Sequence, residues 1–174
     1  MAASGARPER LSGLDRLHRL LPAAWLGLLL CIGGIATPAP FATLDSATAG
    51  RVVGHIFAHE APTSLLLGVA MLWLARRDAA RAAEAGAGSQ FSLGMVLALG
   101  AVFATVLGYY GLQPAIAAAR AAREAGQPAA GLSFGQLHAL SLALFGVKTL
   151  CVAALAWRAG AGPRGGDVSP AASS

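Results

Sequence analysis

The chain has 174 residues, of which 56% are hydrophobic and only 12% are charged. Because a soluble domain carries roughly 25% charged residues, this composition excludes an ordinary soluble enzyme, and its apolar mass excludes a disordered chain. Cys31 and Cys151 lie in separate apolar runs and are too few for a disulfide scaffold. The class that remains is a small integral membrane protein of one domain.

The formal net charge of +5 at pH 7 does not indicate nucleic-acid binding, because most of the 13 Lys and Arg residues lie at the ends of apolar segments. Basic residues in those places orient membrane helices. The predicted partner is therefore the lipid bilayer, and no nucleic acid is expected.

Four apolar segments are long enough to cross a bilayer, which takes about 20 residues of helix. No segment alternates with a period of two, as the strands of a membrane barrel do. The sequence therefore predicts an all-α bundle of four transmembrane helices. The four predicted spans are approximately residues 20–41, 52–75, 91–110 and 133–157.

The transmembrane domain is predicted over residues 20–158, between an N-terminal segment of residues 1–19 and a disordered tail of residues 159–174. In the loops, Asp45 is a suitable N-cap for a helix that begins near Ser46. Gln113-Pro114 predicts the start of a helical extension that reaches Arg123.

Arginines are distributed unequally between the two sides of this bundle. Three of them, Arg51, Arg120 and Arg123, follow the first and third spans. Nine lie in the N-terminal segment, in the loop after the second span or in the tail: Arg7, Arg10, Arg16, Arg19, Arg76, Arg77, Arg81, Arg158 and Arg164. This excess predicts that both termini are cytoplasmic and that the protein spans the inner (plasma) membrane.

Small residues recur at four-residue spacing, which places them on one helix face. Close packing of membrane helices depends on such faces, so we expect contacts within the bundle or, alternatively, between two copies in a homo-oligomer. The predicted packing positions are Gly50, Gly54, Ala58, Pro62, Gly100, Ala104, Gly108, Gly135 and Ala139.

Ionisable groups inside a membrane are costly and are candidates for function. His55 and His59 are four residues apart and share a helix face with Arg51, while Glu60 is rotated by about 100°. Two histidines at this spacing can ligate one metal ion. Residues at a similar depth are predicted to include His138, as a third ligand, with Tyr110 and Gln113 near the rim.

This convergence is a hypothesis that requires the second and fourth spans to be neighbours. The cluster of His55, His59, Glu60 and His138 would bind a metal ion, hold haem iron or relay protons. Alternatively, the chain is a structural or interaction membrane protein, or a small transporter subunit, in which the cluster is a hydrogen-bond network that only packs the bundle. No nucleophile or redox centre joins the cluster, so an enzyme is not indicated, and Ser141 is expected to bond a helix carbonyl.

Lys148 stands apart from that group. It lies about ten residues before Arg158, and counting depth from residue 52 places it too far below Glu60 for an ion pair. We expect its side chain to extend towards the cytoplasmic surface. The alternative is a functional cation inside the bundle.

The order of several features resembles that of one family. They are Pro40-Phe41, then Gly50, Gly54 and Phe57, then Tyr110 and Pro114, and finally Leu137-His138-Ala139-Leu140-Ser141. Over about residues 20–158 the chain resembles the bacterial four-helix membrane family of unknown function (domain of unknown function 4149), related to eukaryotic transmembrane protein 205. The resemblance implies a multi-pass membrane protein without an established activity or assigned catalytic residues. The eukaryotic relatives are associated with resistance to a platinum drug, which implies metal or drug export.

Overall fold

The computed structural model of the protein describes residues 13–86, 92–128 and 131–161. Over these residues the fold is helical and contains no strand, as predicted. The helices are α1 (Gly13–Cys31), α2 (Pro38–Thr43), α3 (Ser46–Glu84), α4 (Leu93–Thr105), α5 (Gln113–Glu124) and α6 (Phe134–Gly160). Single π-helical turns, Ile32–Ala36 and Val106–Gly111, join α1 to α2 and α4 to α5.

Within the described residues, four helical stretches are long and apolar enough to cross a membrane, in agreement with the predicted number of spans. They are Arg16–Thr43, Ser46–Glu84, Leu93–Glu124 and Phe134–Gly160. The protein is therefore a multi-pass helical membrane protein. Most of the predicted N-terminal segment and tail lies in residues 1–12 and 162–174, outside the described residues.

The helices begin where the sequence supplies caps. The Asp45 carboxylate accepts hydrogen bonds from the backbone N–H groups of Ala47 and Thr48, at 3.1 and 3.0 Å, so α3 begins at Ser46 as predicted. The bonds to Thr48, chiefly, hold the pKa of Asp45 below its ordinary value. The predicted extension at Gln113-Pro114 is α5, and Ser133 starts α6 with a capping box.

The second span is much longer than the predicted segment. Helix α3 has 39 residues, which corresponds to about 58 Å, nearly twice the thickness of a hydrocarbon core. Its last turns therefore project beyond the membrane. There Asp78 lies 3.3 Å from the ring nitrogen Nδ1 of His18, which ties α3 to the start of α1.

Helices α3 and α6 lie diagonally opposite each other in the bundle. Helices α1 and α4 each contact both α3 and α6, whereas the described backbones of α3 and α6 do not touch each other. The core lies between these helices, towards the end where α3 projects. It is built around Trp25, Leu29, Met71 and Val152, which are almost completely buried.

At the other end of the bundle the packing opens. Helix α1 packs on α6, but beyond the first π turn the chain continues as α2, which packs on α3. Because α2 leans towards α3, space remains between α2 and the beginning of α6. A π turn shifts the helix register by one residue and frequently occurs at functional sites.

Small residues allow close approach at three of the helix contacts. A Cβ atom on Gly100 would meet the Cys151 sulfur at 3.3 Å, and one on Gly108 would meet Leu144 at 3.4 Å, both between the third and fourth spans. At Gly68 a Cβ atom would overlap the side chain of Val102. Gly54 and Gly135, by contrast, have open space at this position.

Gly68→Leu is expected to destabilise the bundle by about 2 kcal/mol, because the added side chain has to displace Val102 and Trp25 in a packed interface. Gly27→Leu is the matched control, since Gly27 is exposed on α1 and nothing lies within 4 Å of its Cβ position. Thermal unfolding of both variants in detergent checks this. Equal melting temperatures for the two variants would show that the α3–α4 contact is not tight.

Candidate functional site

A buried ion pair lies across the centre of the bundle. The Nζ atom of Lys148 on α6 donates to Oε1 of Glu60 on α3 at 2.6 Å. The two side chains are only 5% and 2% exposed. Charges in a membrane interior pair with one another because an isolated charge there is costly. The pair therefore joins two helices whose backbones do not meet.

This ion pair contradicts the expectation that Lys148 extends towards the membrane surface, far from Glu60. The expectation counts depth from residue 52, whereas Asp45 caps the helix several residues earlier. Glu60 and Lys148 each lie fifteen residues after the N-cap of their helix, about 22 Å along the axis. They are therefore level with each other.

Two further polar groups extend the ion pair into a network that reaches α1. The Ser64 hydroxyl donates to the same Glu60 oxygen, and the indole N–H of Trp25 donates to Ser64 Oγ at 3.0 Å. Trp25 and Ser64 are completely buried. Three spans are thus connected by hydrogen bonds at one level, and each of these four buried polar side chains has a partner.

An aromatic pair accompanies the ion pair one turn nearer the start of both helices. Phe57 on α3 and Phe145 on α6 meet edge to face, with ring centroids 5.7 Å apart. Lys148 Nζ lies 5.0 Å from the centroid of Phe145, within the range of a cation–π interaction. The first π turn completes this contact, since a Cβ atom on Gly33 would lie 3.1 Å from the Phe145 ring.

A cavity of about 660 Å³ extends from the start of α3 and α6 down to this level. We call the end near the N-termini of α3 and α6 its open end, and the end at Glu60 and Lys148 its closed end. Its volume falls within the range of about 300–1,000 Å³ that is typical of small-molecule sites. Apolar groups from both π turns and from all four spans line it, including Gly33, Gly54, Phe57, Ala104, Gly108 and Phe145.

Positive charge gathers at the open end. Arg120 and Arg123, on successive turns of α5, lie 5.8 and 5.4 Å from the ring centroid of Phe134, and both line the cavity. The ring of His138 stacks on Phe134 as well, with centroids 6.1 Å apart. Within the described part of the chain, neither arginine forms a salt bridge, although Glu124 also lines the cavity.

One polar atom in the cavity wall lacks a partner. The Thr37 hydroxyl oxygen is buried and accepts or donates no hydrogen bond among the described residues. Buried hydroxyl groups are nearly always hydrogen-bonded.

The structure does not assemble the predicted histidine cluster. Glu60 and His138 line the cavity, but His55 and His59 are exposed on a different face of α3. Because His55 and His59 point away from the cavity, they do not share a ligand set with His138. Among the described residues, no group of three His, Cys, Asp or Glu side chains is placed to hold a metal ion. The described structure thus shows no His/Glu metal cluster, and the binding of a metal, haem or protons at these residues stays a prediction.

The other predicted polar residues are divided between the cavity and the surface. Gln113 and Ser141 line the cavity, whereas Tyr110 is exposed. Arg51 turns away to donate to the Thr48 hydroxyl at 2.8 Å. In α3, Pro62 is accommodated without a break, and the Thr63 hydroxyl donates to the His59 carbonyl at 2.8 Å.

Sequence reasoning missed several residues of the site. The sequence assigns Arg120 and Arg123 to the charge distribution and Arg123 also to the end of a helical extension, but it gives neither a place in the site. It likewise assigns no site role to Trp25, Ser64, Phe57 or Phe145. One available signal was the equal distance of Glu60 and Lys148 from their N-caps. The roles of the remaining residues depend on the diagonal placement of α3 and α6, which the periodicity of the sequence does not reveal.

Together these features define a four-helix membrane protein with an interior ligand-sized cavity. The chain belongs to the family described as Domain of unknown function (DUF4149), whose model matches residues 20–125. The match includes Trp25, Glu60, Ser64 and both cavity arginines, whereas Lys148 lies beyond it. No curated protein and no solved structure is significantly similar to the chain.

Lys148→Met is expected to lower stability by about 3 kcal/mol, because it leaves the Glu60 carboxylate buried without a counter-charge. Adding Glu60→Gln should restore most of that loss, since the double variant buries no unpaired charge. Thermal unfolding in detergent measures both changes. A single variant as stable as the unsubstituted protein would show that the ion pair does not hold the bundle together.

Proposed function

We propose that this protein is a small membrane carrier or carrier subunit that binds a small organic molecule in its cavity. The observation that carries the proposal is a cavity of about 660 Å³ whose closed end is a buried Glu60–Lys148 pair. Ligand sites are mostly apolar with a few placed polar groups, which describes this cavity. Ionisable residues inside a membrane commonly mark substrate pathways.

The buried ion pair supports a binding role because stability alone does not account for it. A bundle that needed only stability would gain little from a buried ion pair, because apolar residues of similar volume are often as stable. Placing the pair next to open space gives it access to a bound molecule. Because four spans are few for a carrier that acts alone, the proposal includes the assembly of several copies.

We further propose that the protein lies in the inner (plasma) membrane with both termini in the cytoplasm. The unequal distribution of arginines supports this orientation. In that orientation, the open end of the cavity faces away from the cytoplasm. Arg120 and Arg123 then lie at the membrane–water interface on the side away from the cytoplasm.

Accessibility of the cavity is tested with single cysteines in a background carrying Cys31→Ser and Cys151→Ala. Gly54→Cys places a thiol in the cavity, where a side chain has open space. In intact membrane vesicles, it is expected to react with the membrane-impermeant, anionic reagent sulfonatoethyl methanethiosulfonate, which the arginines at the open end do not repel. Gly27→Cys, which is exposed on α1 at the lipid-facing surface, is the control and should not react. Equal protection of both thiols would overturn the proposed binding site.

The proposed orientation is tested with reporters fused to either terminus in bacterial cells. Green fluorescent protein at each end is expected to fluoresce, and alkaline phosphatase at each end to be inactive, because both termini remain in the cytoplasm. Active phosphatase at either terminus would contradict the orientation. That result would place the open end of the cavity on the cytoplasmic side.

A further inference from the structure

We propose that the ligand is a single-chain amphiphile with an anionic head group, which enters the cavity sideways from the lipid bilayer. This inference rests on the proposed function and specifies its ligand. Three observations support it: the charges at the open end, the apolar length below them, and an opening towards lipid.

The charges favour an anionic head group. Arg120 and Arg123 both line the cavity, and in the described structure neither forms a salt bridge, so two cations face one carboxylate at the open end, that of Glu124. The guanidinium of Arg120 reaches across to α3, where it lies 3.4 Å from the Cβ position of Gly50. Arginine offers several donors in a planar fork that matches carboxylate, sulfonate and phosphate oxygens.

The apolar length below the arginines matches a lipid chain. Gly50 and Glu60 are separated by ten residues of α3, or about 15 Å. This is half of the about 30 Å of a hydrocarbon core, and thus the depth of one lipid leaflet. The alkyl chain of the ligand would pass Phe57 and Phe145, which lie one turn before the ion pair that closes the cavity.

The opening towards lipid lies between α2 and α6. Phe41 on α2 and Leu142 on α6 both line the cavity, and both are largely exposed, at 50% and 64%. Both belong to apolar membrane-spanning stretches, so lipid surrounds their exposed surfaces. A cavity wall exposed to lipid admits a molecule that is already dissolved in the bilayer.

The test uses photo-crosslinking in phosphatidylcholine vesicles that contain the full chain. The probe is a twelve-carbon alkyl sulfonate with a diazirine in its chain, and the matched control probe carries a trimethylammonium head on the same chain. The anionic probe is expected to crosslink to residues of the cavity wall on α3 and α6, and the cationic probe to do so far less. Equal labelling by both probes would overturn the charge preference.

Each of Arg120→Gln and Arg123→Gln is expected to reduce crosslinking of the anionic probe by about fivefold, as one fewer cationic contact predicts. Arg120→Lys, which keeps the charge, should retain most of it. Arg81→Gln, exposed at the opposite end of the bundle, is the control and should change nothing. Unchanged labelling in both glutamine variants would contradict the role of the arginines.

Gly54→Leu, which fills the cavity, should abolish the crosslinks, whereas Gly27→Leu should not. Crosslinking and thiol labelling together distinguish a failure of this inference from a failure of the proposed function. If neither probe labels the cavity while Gly54→Cys still reacts with the aqueous thiol reagent, the ligand is not an amphiphile, but the binding site remains. If Gly54→Cys is protected too, both proposals fail.

Discussion

Two opposite charges buried in the middle of a membrane bundle must pair, and this requirement sets the relative rotation of the helices that carry them. Glu60 and Lys148 meet across the diagonal of the bundle, where the backbones of α3 and α6 do not touch. The long side chains span a gap that close packing would otherwise remove. Ser64 donates a hydrogen bond to Glu60 and accepts one from Trp25, which connects the pair to α1.

The level of the ion pair divides the bundle along its length into a closely packed part and an open part. On one side of the ion pair, Trp25, Leu29, Met71 and Val152 form a closed core. On the other side, both π turns, the departure of α2 from α6 and open space at Gly54 leave a cavity. Stability and binding capacity therefore reside in different halves of one small bundle.

The polarity of the cavity changes along its length in a way that suits a molecule with two unlike ends. Arginines lie at the open end, apolar and aromatic groups follow, and the ion pair forms the closed end. The family model that matches this chain covers the elements that carry most of these groups. The site therefore offers a physical hypothesis for a family whose function is not established.

The sequence by itself determined the helical class, the number of spans, the Asp45 cap and the extension at Gln113-Pro114, because these depend on local composition and short-range hydrogen bonds. It also singled out Glu60 and Lys148 as unusual. Only the tertiary structure decided their pairing, the exposure of His55 and His59, and the roles of Arg120 and Phe145. These depend on where each helix begins, how far it is rotated and which helices are neighbours. Such properties arise from the packing of all four spans together, and the periodicity of any one span does not contain them.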